Sequence, residues 1–473
     1  MSWPDVVLIL YLSVLAVLSF NGLHRLWMLL AYRRHAPYGE LPAPAEWPVV
    51  TVQLPVFNER HVVQRLIRAV AELDYPREKL QIQVLDDSTD DTVGLSREVV
   101  DELAAQGLDI ELLHRTDRTG FKAGALDAGL DRARGELIAI FDADFLPPAG
   151  FLKRAVPHLL VDGVGMVQAR WGHLNATDSW LTAAQATLLD GHFVIEHTAR
   201  HAAGHWFNFN GTAGVWRAAA IRDGGGWQHD TLTEDLDLSY RTQLTGWKFR
   251  YLVDLVAPAE LPPDMAAFKT QQHRWAKGSI QTAKKLLGRI WRSSEPLGTK
   301  LEATAHLGAN FSYPLVVLLT LLLPWAIVAR IAGGSRELLA VDLVLFSAAL
   351  LPFLGFYGAA IVGSRGGVTS SRLLRLPVVL AIGLGMAVSQ TRAVVEGLVG
   401  PVGTFVRTPK WGGVSAGSYR AASRGLVGLE LLLAAYMGLA CAYVVWQGYF
   451  ASLPFLLLFA CGYAAVGLAS LRG

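Results

Sequence analysis

The chain has 473 residues, 52% of them hydrophobic, and a formal net charge of +2. Charged residues make up 17%, which is below the quarter or so usual in soluble proteins and indicates membrane spans. A net charge this small argues against a basic nucleic-acid-binding protein. The two cysteines, Cys441 and Cys461, lie in apolar runs, which supports neither a disulfide framework nor a cysteine-based zinc site.

The first predicted element is the apolar segment 6–30, which follows Asp5 rather than a basic residue. A signal peptide would begin with basic residues and have a shorter apolar core. We therefore interpret the segment as a retained membrane anchor, with Arg33 and Arg34 marking its cytosolic end.

Residues 48–260 are less hydrophobic and alternate between strand-like and helix-like patterns. Alternating βα units predict a mostly parallel sheet covered by helices. Ligands of such sheets bind beyond the carboxyl ends of the strands, which is where Asn58, Asp87 and Asp142 fall. The predicted strands are 49–57, 81–85, 110–114, 137–141 and 164–169, and the predicted helices are 61–73, 92–106 and 123–133.

The second predicted strand ends on Asp86 and Asp87. An ionised carboxylate only accepts hydrogen bonds and could therefore bind a ribose or the edge of a base. Residues 88–91 are typical helix N-caps. Both roles can coexist, with the earlier pair facing a ligand and the later residues capping the helix.

Asp142 and Asp144 follow the fourth predicted strand. Alternate residues of an extended segment point the same way, and Mg²⁺ and Mn²⁺ prefer oxygen ligands and commonly join a carboxylate to diphosphate oxygens. For an isolated Asp-x-Asp a solvated turn is the better interpretation. The carboxylates at 86–87 and 235 reverse that preference and favour a metal site.

The sequence Thr233-Glu234-Asp235 precedes a predicted helix. Acidic residues there can cap the helix and interact with its dipole. The functional alternative is that Asp235 is a general base that takes a proton from an acceptor hydroxyl.

The sequence 271–275, Gln-Gln-His-Arg-Trp, precedes a basic amphipathic segment at 277–291. Arg274 could offset charge on a diphosphate leaving group, and Trp275 could offer its face to a sugar ring. The alternative is an Arg–aromatic anchor at a membrane interface. His197, His201 and His205 have helical spacing, but no matching acid or thiol accompanies them, which disfavours zinc.

Four further apolar segments, at 307–329, 343–362, 426–446 and 453–471, are long enough to cross a bilayer. The stretch 376–399 becomes polar in its second half, and making it a span would place Arg407, Lys410, Arg420 and Arg424 outside, against the usual charge bias. We therefore predict an interfacial helix there. The stretch 405–410 is either plain basic juxtamembrane sequence or a mobile loop that closes over a nucleotide.

Together, these motifs in this order resemble the processive family 2 glycosyltransferases of the cellulose-synthase-like group, most closely the β-mannan and glucomannan synthases. The resemblance is dense over about 48–290, and the terminal spans match in layout more than in sequence. The stretches that carry it are 52–59, 85–90, 120–126, 141–145, 167–171, 209–217, 233–235 and 271–275.

The resemblance implies an α/β fold, with a Rossmann-like GT-A domain inserted between transmembrane helices and with interfacial amphipathic helices. It also implies a set of roles. The residues expected to contact the nucleotide sugar are Phe57, Glu59, Asp86, Asp87, Lys122 and Asp142, and those expected to hold Mg²⁺ or Mn²⁺ are Asp142 and Asp144. Asp235 is expected to be the base of an inverting displacement, and the residues expected to contact the acceptor are Gly211, Thr212, Glu234, Gln271, Arg274 and Trp275. A gating loop is expected to contain Phe405, Thr408 and Lys410. Arg407 and Pro409 depart from the cellulose synthase form of that loop.

We expect an anchor at 1–34, a cytosolic catalytic domain at 35–275, an interfacial helix at 276–300 and a membrane region at 301–473, with the gating loop at 400–415. The expected function is polymerisation of mannan, glucomannan or glucan coupled to export, in a multi-pass protein of the plasma or inner membrane.

GDP-mannose and UDP-glucose remain equally open as donors. The expected partners are this nucleotide sugar, a growing polysaccharide and membrane lipid, but not nucleic acid. The alternatives are transfer to a lipid acceptor of the diacylglycerol or ceramide type, and a non-catalytic transporter or scaffold. The second is disfavoured because Asp142, Asp144 and Asp235 are all present.

Overall fold

The computed structural model describes residues 1–36, 38–333, 338–364, 370–403 and 424–472. Phe405, Thr408 and Lys410 of the predicted gating loop lie outside these ranges.

Within the described ranges, seven strands form one sheet in the order β3-β2-β1-β4-β6-β5-β7. All five predicted strands are present. The sheet is mixed, because β6 runs antiparallel to both of its neighbours, whereas the other pairs are parallel. The strands are β1 (Val50–Val56), β2 (Leu80–Asp86), β3 (Asp109–His114), β4 (Leu137–Ile140), β5 (Val164–His173), β6 (Gly214–Arg217) and β7 (Lys248–Ala259).

Helices cover both faces of this sheet. One face buries Val52, Leu54 and Val84, and the other buries Leu85 and Ile138. Burial on both faces suits the wholly apolar strand β4. Strands β1 and β2 also carry buried polar residues, and Gln53 Nε2 donates to Gln83 Oε1 between them (3.1 Å). The helices from the N-terminus to the end of this domain are α1 (Trp3–Tyr32), α2 (Val63–Ala71), α3 (Thr92–Ala105), α4 (Phe121–Arg132), α5 (Phe151–Leu159), α6 (Trp180–Asp190), α7 (Thr198–Ala202), α8 (Ala218–Asp223), α9 (Glu234–Leu244), α10 (Met265–Arg292) and α11 (Leu297–Gly308), with a π-helix at Gly191–His197.

Helix α10 carries the 271–275 sequence in its first half. It begins at an N-cap, where the Asp264 side chain accepts a hydrogen bond from Ala267 N (2.8 Å). The helix continues without a break to Arg292. The domain boundary expected at 275 therefore falls inside one helix, and the segment 276–300 comprises the end of α10 and the start of α11.

The remaining helices lie in the C-terminal, largely apolar part of the chain. Within the described ranges, five helices are long and apolar enough to cross a membrane, at Trp3–Tyr32, Leu297–Ala332, Val341–Gly363, Leu426–Trp446 and Phe450–Leu471. These match the five predicted spans. The helices are α12 (Ser312–Gly333), α13 (Leu338–Gly363), α14 (Ser370–Leu373), α15 (Leu376–Gly385), α16 (Ala387–Val399), α17 (Arg424–Trp446) and α18 (Leu453–Arg472).

The stretch 376–399 is a pair of helices, α15 and α16, with a bend of 46° between them. The first helix buries Val379 and Ile382 and packs on α18, whereas the second packs on α10. The pair fits either a broken span or a re-entrant segment by length and composition. The interfacial placement therefore stays a prediction.

Candidate active site

A cleft lies at the carboxyl ends of β1, β2 and β4, where the sheet rule places ligands. It brings together side chains separated by more than two hundred residues of sequence. The predicted site residues that line it are Phe57, Glu59, Asp87, Lys122, Asp142, Asp144, Gly211, Glu234, Asp235, Gln271, Arg274 and Trp275.

Lys122, in the first turn of α4, connects two walls of the cleft. Its Nζ donates to Asp142 Oδ1 (2.6 Å) and to the carbonyl oxygen of Gly211 (2.8 Å). Thr212 also holds the backbone of Asp142 in place, because its Oγ1 accepts a hydrogen bond from the Asp142 N–H (2.9 Å). Thr212 is fully buried and does not line the cleft. Its hydrogen bond is thus to the loop that carries Asp142 and Asp144, and its acceptor role stays a prediction.

Asp142 and Asp144 face the same cleft. Asp144 is buried, and the Asp142 side chain is 28% exposed. Among the described residues, no group of three or more His, Cys, Asp or Glu side chains is placed to hold a metal ion. A pair of carboxylates fits Mg²⁺ or Mn²⁺ whose other ligands are diphosphate oxygens or water. The same finding gives no support to a zinc site at His197, His201 and His205.

The two acids at the end of β2 have different surroundings. Asp86 is fully buried, accepts from Ser88 N (2.9 Å), contacts His114 Nδ1 (3.3 Å) and does not line the cleft. Asp87 does line it and accepts two hydrogen bonds from Arg115, at 2.8 and 2.7 Å. The structure therefore brings only the second acid of the pair to the ligand side.

Two arginines missed by the sequence analysis lie at this part of the cleft, one in its lining and one behind Asp87. Arg115 binds Asp87, and the Arg118 guanidinium lies 3.2 Å from the centroid of the Phe57 ring. Arg118 and Phe57 both line the cleft, so their stacked pair offers a flat, positively charged surface. The available signal was the basic sequence 114–118, which begins at the carboxyl end of β3, at the same sheet edge as the acids.

Asp235 lies in the first turn of α9 and is partly buried. Its backbone carbonyl accepts from Ser239 Oγ (2.6 Å), and its Oδ1 accepts from Leu236 N (2.8 Å). Burial, followed by the charge of Glu234, raises the pKa of Asp235 to about 7. A carboxyl group with that pKa is suited to accept a proton near neutral pH.

Packing of α10 against the start of α9 brings the 271–275 sequence to Asp235. A β-carbon on Gly278 would lie 2.5 Å from Thr233 Cγ2, so only glycine permits this approach. Gln281 Oε1 also accepts from Leu232 N (3.0 Å). Burial lowers the pKa of Arg274, while Glu234, Asp142 and Asp235 act in the opposite sense; the guanidinium stays charged.

An aromatic wall faces these charged groups. The rings of Trp171 and Trp275 lie 6.3 Å apart, edge to face, and Phe145 packs on Trp171 at 5.2 Å. All three line the cleft. Apolar ring faces beside polar edges are the surfaces on which sugar rings pack.

A second cavity continues from the cleft, because Trp171, Asn210, Asp235 and Trp275 line both. A third cavity continues from the second and shares the following residues with it: Leu188, Glu196, His306, Ala309, Tyr313, Tyr357 and Gly383. This third cavity reaches Leu15 on α1, Phe346 on α13 and Phe459 on α18. The cavities thus form one lined path from the cleft to the membrane helices.

The chain also returns to the cleft after α16. Val402 and Gly403 lie beside Lys122 and Glu234 in a small pocket next to the cleft. Gln281 Nε2 of α10 donates to the carbonyl of Val402 (3.3 Å). The predicted gating loop at 400–415 therefore begins at the active site, although its residues from 404 onwards lie outside the described ranges.

Residues 48–278 match a family model described as "Glycosyltransferase like family 2". The chain is 44% identical over 256 residues to glucomannan 4-beta-mannosyltransferase 2 of Arabidopsis thaliana, covering 53% of this chain and 48% of that protein. It is 43% identical over 254 residues to glucomannan 4-beta-mannosyltransferase 1 of Oryza sativa subsp. japonica, covering 53% and 49%. The chain thus spans about half the length of the curated relatives that it matches.

Among solved structures, the fold is similar to that of a mannosyltransferase from Pyrobaculum calidifontis in complex with GDP-Man and Mn²⁺. The TM-score is 0.54 at 23% identity, and the match covers 83% of this chain and 99% of that one. At this identity the likeness supports the GT-A fold alone. The family model and the identity to the glucomannan 4-beta-mannosyltransferases agree, and residues 48–278 are similar to glycosyltransferase family 2.

Proposed function

We propose that this protein is a membrane-embedded, inverting hexosyltransferase that extends a β-linked polysaccharide from a nucleotide sugar. The observation that carries the proposal is the joining, in one cleft, of a pair of carboxylates, a lysine, a carboxyl base and an Arg–Trp wall. Each group alone has an ordinary structural explanation. Together they supply what transfer from a diphosphate donor needs.

The donor lies along the edge formed by β1, β2 and β4. Its nucleoside contacts Asp87 and the Phe57–Arg118 pair, and its diphosphate lies near Lys122 and Arg274. Asp142 and Asp144 would hold Mg²⁺ or Mn²⁺, and the ion would neutralise diphosphate charge. The names of the relatives favour mannose as the transferred sugar, and GDP-mannose is therefore the first donor to test.

Transfer is a single displacement at the anomeric carbon. A bond forms between an acceptor hydroxyl oxygen and that carbon, while the bond from the carbon to the diphosphate oxygen breaks. Asp235 takes the hydroxyl proton, and Arg274 and Lys122 stabilise the negative charge that develops on the leaving diphosphate. Attack from the side opposite the leaving group inverts the configuration.

The product leaves through the cavities that run from Asp235 to the membrane helices. The acceptor end of a polymer that grows at the cleft would lie at the start of this path, and the rest of the polymer would extend along it. Because sugar nucleotides are made in the cytosol, we propose that the protein lies in a plasma or inner membrane and that residues 35–300 face the cytosol. Membrane lipid surrounds the five apolar helices.

The experiment is a transfer assay with the full chain in lipid nanodiscs. Radiolabelled GDP-mannose and UDP-glucose are supplied in parallel with Mg²⁺ or Mn²⁺, and the product is digested with a β-mannanase or a β-glucanase. We expect an ethanol-insoluble, enzyme-sensitive polymer with one donor. Asp235→Asn in the same nanodiscs is the negative control.

Partition of the product distinguishes the acceptor class. Label that is extracted into organic solvent would identify a glycolipid and replace the polymer proposal with the lipid-acceptor alternative. Absence of transfer with either donor, from protein that still binds nucleotide, would contradict both.

A further inference from the structure

The π-helix Gly191–His197 is a buried element whose role the reaction above does not use. Successive residues of an α-helix are rotated by about 100°, so positions 192 and 197 would lie about 140° apart. A π-helix bonds residue i to residue i+5 and brings those two positions onto one face. His192 and His197 are such a pair, and their ring centroids are 4.3 Å apart.

Both histidines contact one side chain, Asn210. His197 Nε2 lies 2.7 Å from Asn210 Oδ1, and His192 Nε2 lies 2.9 Å from Asn210 Nδ2. His192 Nδ1 lies 3.1 Å from Glu196 Oε2. One order of donors satisfies every contact: His197 donates to the amide oxygen, the amide nitrogen donates to His192, and His192 donates to Glu196.

In that order His197 donates through Nε2, whereas His192 donates through Nδ1 and accepts through Nε2. His197 Nε2 also lies 3.1 Å from the carbonyl oxygen of Asn208, a second acceptor, which fixes the proton on this nitrogen. Burial, with His192 and Arg200 nearby, lowers the pKa of His197 well below its usual value.

Asn210 immediately precedes the glycine of the cleft. Its own N–H donates to Gln168 Oε1 (3.0 Å), and its side chain lines the cleft. The next residue, Gly211, has a φ of +80° and accepts the hydrogen bond of Lys122. Displacement of Asn210 would therefore move the carbonyl that positions Lys122.

We propose that His192 and His197 are positioning residues, which the π-helix brings onto one face so that they hold Asn210 and, through it, the Gly211 carbonyl in the geometry for transfer. The kinetic part of this inference rests on the proposed function. The structural part does not, since it concerns the order of the 208–214 loop in the resting protein.

Hydrogen–deuterium exchange of the full chain in nanodiscs tests the structural part. The variant is His192→Phe, which keeps a ring at a half-buried position but removes both hydrogen bonds. The matched control is His201→Phe, four residues after His197, whose ring contacts Tyr38 and Phe207 rather than Asn210. Peptides that cover 208–214 should exchange at least about tenfold faster in His192→Phe and at the wild-type rate in the control.

Steady-state transfer tests the link to the reaction. We expect kcat of His192→Phe to fall by about tenfold or more, with donor KM within about twofold of wild type, because the group acts on geometry rather than on donor affinity. His197→Gln, which keeps an N–H donor, should retain more activity than His197→Phe. If His192→Phe does not fold, the pair of His197 variants is compared by the same two measurements.

Unchanged exchange at 208–214 in the folded variants would overturn the positioning role, whatever the activity. Faster exchange with wild-type kcat would separate the loop from the reaction and overturn the kinetic part. If wild-type protein shows no transfer with either donor, the proposed function fails, and the exchange comparison still decides the role of the histidines.

Discussion

A β-carbon placed on Gly211 would lie 3.0 Å from Asp235 Oδ2 and 3.3 Å from Lys122 Nζ. Gly211 thus sits directly against the proposed base and the proposed diphosphate lysine, in a backbone conformation with φ of +80°. A side chain at this position would crowd Asp235 and Lys122, and the left-handed backbone conformation also disfavours residues other than glycine.

Gly211→Ala should reduce kcat by at least about tenfold. The added methyl crowds Asp235, and left-handed backbone costs about 1–2 kcal/mol for a non-glycine residue. Gly107→Ala is the matched control, since Gly107 has a φ of +83° but nothing within 4 Å of the added carbon. Transfer rates and unfolding midpoints of the two variants separate crowding from strain. Equal losses of activity in both would remove the special role of Gly211.

Asp235→Asn should lower kcat by about 10²–10⁴-fold, because the amide keeps the shape but cannot accept the proton. Nucleotide-sugar affinity, measured by calorimetry, should stay near wild type. Asp230→Asn, at an acid that pairs with Lys285 on α10, should leave turnover unchanged. Wild-type turnover in Asp235→Asn would exclude this residue as the base.

The pH dependence of kcat/KM should report the raised pKa of Asp235. Burial and the Glu234 charge raise that pKa to about 7, so the ionised base is lost as pH falls through 7 and activity should rise with pH across this range. Glu234→Gln removes the neighbouring charge. The rising limb should therefore move to lower pH, as measured from profiles at matched ionic strength. If the rising limb of the pH profile does not move in Glu234→Gln, the charge of Glu234 does not raise the pKa of Asp235.

Removal of divalent metal should abolish transfer, and Mg²⁺ or Mn²⁺ should restore it. Asp144→Asn should weaken donor binding in the presence of metal by at least about tenfold, since changes around bound metals typically cost about 10–100-fold in affinity. Asp162→Asn, at an exposed position away from the cleft, is the control. Full activity in EDTA would rule out the metal role of Asp142 and Asp144.

Removing one partner of the buried ion pair between Lys269 and Glu430 should destabilise the protein. Lys269 Nζ lies 2.7 Å from both carboxylate oxygens of Glu430, and the pair joins α10 to membrane helix α17 while almost fully buried. Lys269→Met should destabilise the protein by about 3–5 kcal/mol, because it leaves a buried charge without its partner. Equilibrium unfolding in mixed micelles measures this.

The exposed pair Lys153–Asp74 provides the comparison, and Asp74→Asn there should cost less than about 1 kcal/mol. Replacing both partners, with Lys269→Met and Glu430→Leu together, should recover most of the lost stability. A single variant as stable as wild type would mean that the pair does not bear on folding.

Sequence alone determined the elements whose signal is local. Apolar runs predicted the five candidate spans and strand β4, and strands β1 and β2 were recognisable as short runs rich in Val, Leu and Ile that end at polar residues. Strand β6, Gly214–Arg217, was missed because glycine and arginine at its two ends leave only two apolar side chains, whereas β4 is equally short but wholly apolar. Strand β7 was missed because Lys248, Arg250 and Asp254 interrupt its apolar pattern.

Tertiary structure decided which polar residues share the cleft. Asp86 and Asp87 are neighbours in sequence and equivalent by pattern, yet alternation along an extended strand buries the first and turns the second towards Arg115. The role of Asn210 was equally hidden, since its partners come from a π-helix that the usual helical period does not reveal. Sequence patterns report the period and burial of single elements. The meeting of Lys122, Gly211 and Asp235 depends on how separate elements pack, and only the folded chain specifies that.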